Sequence, residues 1–155
     1  MVANFVLGSG GNSRLWNRVR EKEGLSYDVR SAIDWDQYGT NSWWTASATY
    51  APSNRAKVEA AFKEVVELAL KDGFTARELE EGKQGLLNFR ALSRAQDRNV
   101  AGAWARNLDL GRSFAFSGQI DAQLRALTLP QVNAALRKYI APSKFVVGVA
   151  GDFKD

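Results

Sequence analysis

Gly10–Val29, reading GGNSRLWNRVREKEGLSYDV, constrains the chain more than any other stretch. It holds a glycine turn, a short basic amphipathic helix and the start of a strand. Asn12 or Ser13 can cap the helix by accepting a hydrogen bond from a first-turn amide that has no partner within the helix. Leu15, Trp16 and Val19 recur at helical spacing, with Arg14, Arg18, Arg20 and Lys22 beside them. Gly24 suits the residue after the helix end, where a left-handed backbone penalises any side chain with a Cβ. From Leu25 the period changes to two. A chain that reverses at Gly24 can bring Arg20, on the last helical turn, and Tyr27, near the strand start, to one rim. On spacing alone they read as a surface arginine and a strand tyrosine with its ring in the core.

The strand continues through Val29, Ser31, Ile33 and Trp35 on the apolar face, with Ser26, Asp28, Arg30, Ala32, Asp34 and Asp36 on the other. Asp36–Gly39 can turn the chain. Thr40–Ala51 (TNSWWTASATYA) is uncharged and rich in Thr, Trp and Tyr, as a returning strand should be. Adjacent Trp43 and Trp44 must then face opposite ways, and the pattern does not choose which is exposed. Pro52–Asn54 breaks the hairpin and caps a helix expected over Arg55–Lys71, which Asp72-Gly73 ends. Thr75 and Glu78 form a capping box for a third helix, carrying Leu79, Leu86 and Phe89 and interrupted near Ser93–Gln96. Helical patterns follow around Val100, Ala103, Trp104 and Leu108, then around Ile120, Leu124 and Leu127. A second capping box at Thr128–Gln131 opens a last helix with Val132, Leu136 and Ile140, stopped by Pro142. Lys144–Ala150 (KFVVGVA) reads as a central strand buried on both faces. A linker would begin at Gly151-Asp152-Phe153.

This order predicts an α+β fold: a mainly antiparallel sheet covered on one face by helices, in a single two-layer domain over residues 1–155. Met1–Leu7 reads as the tail of a helix whose beginning lies upstream, so the domain is expected to be truncated at its N-terminal edge. The chain has no Cys and no His. This removes thiolate nucleophiles, Ser-His and Cys-His pairs and the commonest transition-metal ligands. A formal charge of +4, from 21 basic and 17 acidic residues, is too diffuse for a dedicated nucleic-acid binder. No apolar run reaches the ~20 residues a membrane span needs. Gly8–Gly11 resembles a phosphate cradle but lacks the Gly-Lys-Ser/Thr ending and follows a helix. It reads better as a helix–helix connection needing positive φ. Arg94, Arg98, Arg106 and Arg112, around Trp104, suit an acidic partner or, more simply, a solvated helix face.

The opening stretch resembles the second, non-catalytic domain of the pitrilysin/insulinase family of zinc metallopeptidases. That domain carries a serine-arginine-leucine-aromatic run, then a hydrophobic residue, arginine and lysine, then leucine, tyrosine and valine. Ser13-Arg14-Leu15-Trp16, Val19-Arg20-Glu21-Lys22, Leu25, Tyr27 and Val29 match it. Gly73-Phe74-Thr75 with Glu78-Leu79, Leu110-Gly111-Arg112, Ile120, Leu127-Thr128 and the Val132-to-Pro142 segment follow in the expected order. The resemblance implies a clamshell whose other half holds zinc on an HxxEH helix. With no histidine, this chain cannot be that half. It implies a substrate-binding, cavity-forming role here, no metal in this segment, and zinc in a missing N-terminal catalytic domain. Arg20 and Tyr27 match an arginine and a tyrosine that reach toward the zinc site in active members and bind substrate. The implied partners are a peptide substrate and the catalytic domain, in the same chain or a separate subunit. A homodimer and a periplasmic location also fit the family. An assembly subunit of the same fold, like a processing-peptidase partner or a respiratory-complex core protein, is the other class the resemblance admits.

Overall fold

The computed structural model describes residues 1–152. Helix α1 is α-helical over Val2–Asn4 and π-helical over Phe5–Ser9. Helix α2 likewise begins as an α-helix, Arg14–Trp16, and continues as a π-helix, Asn17–Glu21. Ser13 caps α2, its hydroxyl accepting from the Trp16 amide at 3.4 Å. Strands β1 (Asp28–Asp34) and β2 (Trp43–Thr49) follow, then a 3-10 turn at Pro52–Asn54. The remaining helices are α3 (Arg55–Asp72), α4 (Ala76–Arg94), α5 (Asp97–Asp109), α6 (Ala115–Ala126) and α7 (Leu129–Tyr139). Both expected capping boxes form, at Thr75–Glu78 and Thr128–Gln131. The fold is α+β and helix-rich, with a small two-stranded antiparallel sheet.

The hairpin register separates its faces. Val29 pairs with Ala48, Ser31 with Ala46 and Ile33 with Trp44, and these side chains turn toward the helices. Asp28 pairs with Thr49, Arg30 with Ser47, Ala32 with Thr45 and Asp34 with Trp43. Apart from half-buried Asp28, every residue of this second set is exposed, so the described helices leave that face uncovered. The tryptophan pair is thereby resolved. Trp43 is exposed, whereas Trp44 stacks on Phe62 and Phe145 with centroids 6.3 and 5.7 Å away.

Helix α1 lies inside the layer, with Val2, Val6 and Leu7 buried beside Leu15, Val19, Val65, Val66 and Leu136. Burying each such aliphatic side chain contributes about 1.5–3 kcal/mol. Asn4 pins α1 to both strands. Its side-chain oxygen accepts from the Ser31 hydroxyl at 2.7 Å and from the Trp44 indole N–H at 2.8 Å. Close approach here depends on Gly8. A Cβ at that position would lie 2.4 Å from Ser31 Oγ and 2.8 Å from Leu15 Cδ1. Gly8→Ala is therefore expected to lower stability by about 1–3 kcal/mol, the usual cost of overpacking a core, read as a fall in thermal midpoint. An unchanged midpoint would mean the α1–β1 contact yields freely.

Several sequence expectations are corrected. Lys144–Ala150 is not a central strand. Pro142–Lys144 is a 3-10 turn and the residues after it form no ladder, with Val146 97% and Val147 74% exposed. A strand must lie within about 5 Å of a neighbour to pair. Here a cleft of about 510 Å³, lined by Ala46–Tyr50 and Val147–Ala150, lies between this run and β2. Phe145 is anchored, its ring stacking on Trp44 and meeting Phe62 at a tilt, with centroids 5.7 and 6.2 Å away. The glycines of the first turn do not need positive φ, since the positive-φ glycines of the described chain are Gly24, Gly73, Gly111 and Gly151. The hairpin is shorter than Thr40–Ala51 suggests, because the Asp36 carboxylate accepts amides from Tyr38, Gly39 and Asn41 and organises a broad loop instead. Asn54 does not cap α3 through its side chain, which donates to the Leu25 carbonyl. Phe153, at the expected linker, lies outside the described residues.

Candidate functional site at the α2–β1 corner

The corner is set by how α2 ends. Gly24 has φ +60°, the left-handed conformation expected of it. Its amide donates to the Arg20 carbonyl and the Leu25 amide to the Val19 carbonyl, both at 2.9 Å. The preceding π-helical turn adds one residue per hydrogen-bonded loop, a local irregularity often found near functional sites. Nothing in the apolar spacing announces it.

Leaving Gly24, the chain does not enter the sheet in phase. Leu25 and Ser26 are both buried, the Ser26 hydroxyl donating to the Asp28 and Thr49 carbonyls at 2.8 Å. Those two bonds turn the backbone and rotate Tyr27 out of the odd-numbered face. Its side chain is 83% exposed, which corrects the expectation of a ring in the core.

Arg20 and Tyr27 do meet. The Arg20 guanidinium lies 5.1 Å from the Tyr27 ring centroid and 4.1 Å from that of Trp16, which stands one helical turn earlier. The cation therefore has an aromatic ring on each of two sides, each contact worth about 0.5–1 kcal/mol where water has access. Trp16 is itself oriented, its indole N–H donating to Glu21 Oε1 at 3.1 Å. Glu21 also forms a loose ion pair with Arg20 at 4.0 Å. Beyond that loose pair the Arg20 guanidinium makes no hydrogen bond, and the Tyr27 hydroxyl has no partner among the described residues, so the hydrogen-bond donors of both polar ends are available. Trp16 is the member of this group that sequence reasoning missed. Its i, i+4 spacing from Arg20 was the available signal, masked by its place on the apolar stripe.

Arg14, another residue of the opening run, does a different job. It donates to both carboxylate oxygens of Glu78, at 2.6 and 2.8 Å, and to the Gly73 carbonyl at 2.8 Å. It thus ties α2 to the α3–α4 turn. The 510 Å³ cleft beside β2 is lined by neither Arg20 nor Tyr27. Among the described residues no group of three or more Asp or Glu could hold a metal ion, and no helix is long and apolar enough to cross a membrane.

Comparisons with known proteins agree with this architecture. The chain is 28% identical to a Bacillus subtilis protein called uncharacterized zinc protease YmxG, over 89% of this chain and 33% of that protein. It is 26% identical to a Helicobacter pylori protein called non-peptidase homolog YmxG, over 89% of this chain and 32% of the other. A shorter match, 37% over 49% of this chain and 6% of the relative, is to the chloroplastic stromal processing peptidase of Pisum sativum. The chain thus spans about a third, or less, of these relatives. Among solved structures, a peptidase M16 inactive domain from Pseudomonas fluorescens superposes with TM-score 0.77 at 26% identity, covering 90% of this chain and 33% of that one. The Escherichia coli periplasmic protease PqqL, at 20% identity and TM-score 0.69 over 90% of this chain and 15% of its own, shares the fold. A family model described as the peptidase M16 inactive domain matches residues 1–86, more than half of the 155. The chain belongs to the peptidase M16 inactive-domain family.

Proposed function

We propose that this chain is the substrate-binding, cavity-forming half of a zinc metalloendopeptidase, paired with a catalytic half that holds the metal. The donor set here does not fit zinc: there is no His or Cys, and no carboxylate cluster among the described residues. When bound in the catalytic half, zinc would supply the activated water and polarise the scissile carbonyl. The residues of this chain bind and orient. The uncovered hairpin face, with Thr45, Ser47 and Thr49 along β2, gives the cavity a polar wall. At its edge the Arg20 guanidinium donates charge-assisted hydrogen bonds to substrate carbonyls or a carboxylate. The Tyr27 phenol donates to the oxygen that becomes negative as the carbonyl is attacked.

The observation that carries this reading is the stacking of Arg20 against Trp16 and Tyr27, with the guanidinium held only by a loose pair to Glu21 and neither polar end donating a hydrogen bond among the described residues. A purely structural arginine would spend its donors within the chain, as Arg14 does. The test is Arg20→Ala in the full-length protein. Peptide cleavage should fall by about tenfold, the loss of one charged hydrogen bond, while zinc content is unchanged. Undiminished cleavage would remove Arg20 from the site.

The second reading, an assembly subunit without peptidase activity, is favoured by the name of the Helicobacter relative, a non-peptidase homolog. The two readings differ in the rest of the protein. An HxxEH motif elsewhere in the full-length protein or in a neighbouring gene product favours the peptidase, and its absence from both favours the assembly subunit.

A further inference from the structure

Away from that corner, the four residues Arg90, Arg94, Arg98 and Arg106 line one cleft of about 470 Å³ between α4, α5 and α6. Two of these guanidinium groups are spent. Arg90 and Arg94, one turn apart on α4, both donate to the buried carboxylate of Asp121 on α6, and both reach the Ser117 hydroxyl. Burial pushes the Asp121 carboxyl up, but the two guanidinium hydrogen bonds outweigh this and hold it below the usual carboxylate range. The other two are not spent. Arg98 and Arg106 stand eight residues apart on the exposed side of α5, and their guanidinium groups make no hydrogen bond or ion pair among the described residues. Gly102 lies between them and also lines the cleft, so the helix backbone there is bare. A Cβ at Gly102 would have only Arg106 Nη1 as a neighbour, at 3.7 Å.

Four guanidinium groups against one carboxylate leave the cleft strongly positive. Its walls are not those of a phosphate track, however. Phe89, 64% exposed, and Phe114 line the same cleft, and Phe114 stacks on Trp104 at 4.9 Å. Nucleic-acid affinity comes from many phosphate contacts along a repeating charge. Two free cations flanked by aromatic rings suit instead a short chain with a few carboxylates and apolar side chains between them.

We propose that this cleft is a docking site for an acidic, aromatic-containing peptide segment. Arg98 and Arg106 bind its carboxylates across the bare backbone at Gly102, and Phe89 and Phe114 take its apolar side chains. The proposal stands independently of the Arg20–Tyr27 reading, because the two sites share no residue.

The probe is a fluorescein-labelled peptide alternating Glu and Asp with Phe, titrated into the full-length protein and followed by fluorescence anisotropy. Its lysine counterpart, a labelled twelve-residue oligothymidylate and inorganic polyphosphate serve as comparisons. Arg98→Gln/Arg106→Gln should weaken the acidic peptide at least about tenfold, as expected when charged hydrogen bonds are removed. Lys57→Gln/Lys71→Gln removes the same charge from exposed positions on α3 and should change affinity by less than about twofold. Because neither arginine is packed or paired, the cleft variant should keep the parent circular dichroism and melting point. Equal weakening by both double variants would reduce the effect to net charge and overturn the proposal. So would undiminished binding by the arginine variant, or tighter binding of the oligonucleotide or polyphosphate than of the acidic peptide.

Discussion

Tyr27→Phe in the full-length protein is expected to lower kcat for peptide cleavage about 100-fold with KM nearly unchanged, the usual scale for removing one donor to a developing oxyanion. The substitution is well posed because of what it leaves in place. The phenylalanine ring still stands against the Arg20 guanidinium, 5.1 Å away in the parent, so only the hydroxyl is lost. That hydroxyl has no partner among the described residues, and the side chain is 83% exposed, so no folding energy is attached to it. Arg20→Ala should separate from it kinetically. A guanidinium that holds the substrate equally in ground and transition states contributes to KM, so the variant should raise KM about tenfold and change kcat less. Both variants should retain one zinc per protein. A Tyr27→Phe enzyme with parental kcat would show that the phenol does not act on the reacting carbonyl. A full-length parent that carries an intact zinc motif yet cleaves no peptide would favour the assembly reading instead.

The helices and their ends were legible because their signals are local. The capping boxes at Thr75 and Thr128, the left-handed Gly24 and the break near Ser93–Gln96 each rest on a few adjacent residues, and each forms. What failed depends on partners distant in sequence. Lys144–Ala150 has the composition of a buried strand, but a strand exists only where a neighbour offers a ladder, and β2 is separated from it by a cleft. Gly8 was legible as special, but not for the right reason. Its need is space for Ser31 and Leu15, a contact between residues more than twenty positions apart in one case and seven in the other. At the candidate site the reversal could be read from Gly24, whereas the outward rotation of Tyr27 could not. That rotation is made by Ser26, whose hydroxyl bonds Thr49 across the hairpin.

Arg14→Ala is expected to destabilise the fold by about 2–3 kcal/mol, because it strips the half-buried Glu78 carboxylate of its two guanidinium bonds and leaves the Gly73 carbonyl without a donor. It also removes the guanidinium from its place 5.0 Å over the Phe74 ring. Glu78 serves the α4 capping box at the same time, accepting the Thr75 amide at 2.8 Å, so losing either partner loosens the α3–α4 turn that α2 rests on. The Arg14 hydrogen bonds chiefly, with the Thr75 amide's help, outweigh burial and bring the Glu78 carboxyl down from the usual 4.5 to about 2. A carboxyl lowered on folding stabilises the protein while it is ionised in both states. That contribution is therefore complete above pH ~4.5, declines as pH falls below it, and is gone by about pH 2. Glu78→Gln should flatten the stability curve across that interval and leave its slope near neutrality unaltered. Urea midpoints at pH 7, 4 and 2.5 for the parent, Arg14→Ala, Glu78→Gln and the double variant measure both effects. The double-mutant coupling should exceed about 1 kcal/mol at pH 7 and shrink at pH 2.5. A coupling near zero at pH 7 would mean that α2 is held by the burial of Leu15 and Val19 and by the Arg18–Glu64 pair, and not by the bond from Arg14 to the α3–α4 turn.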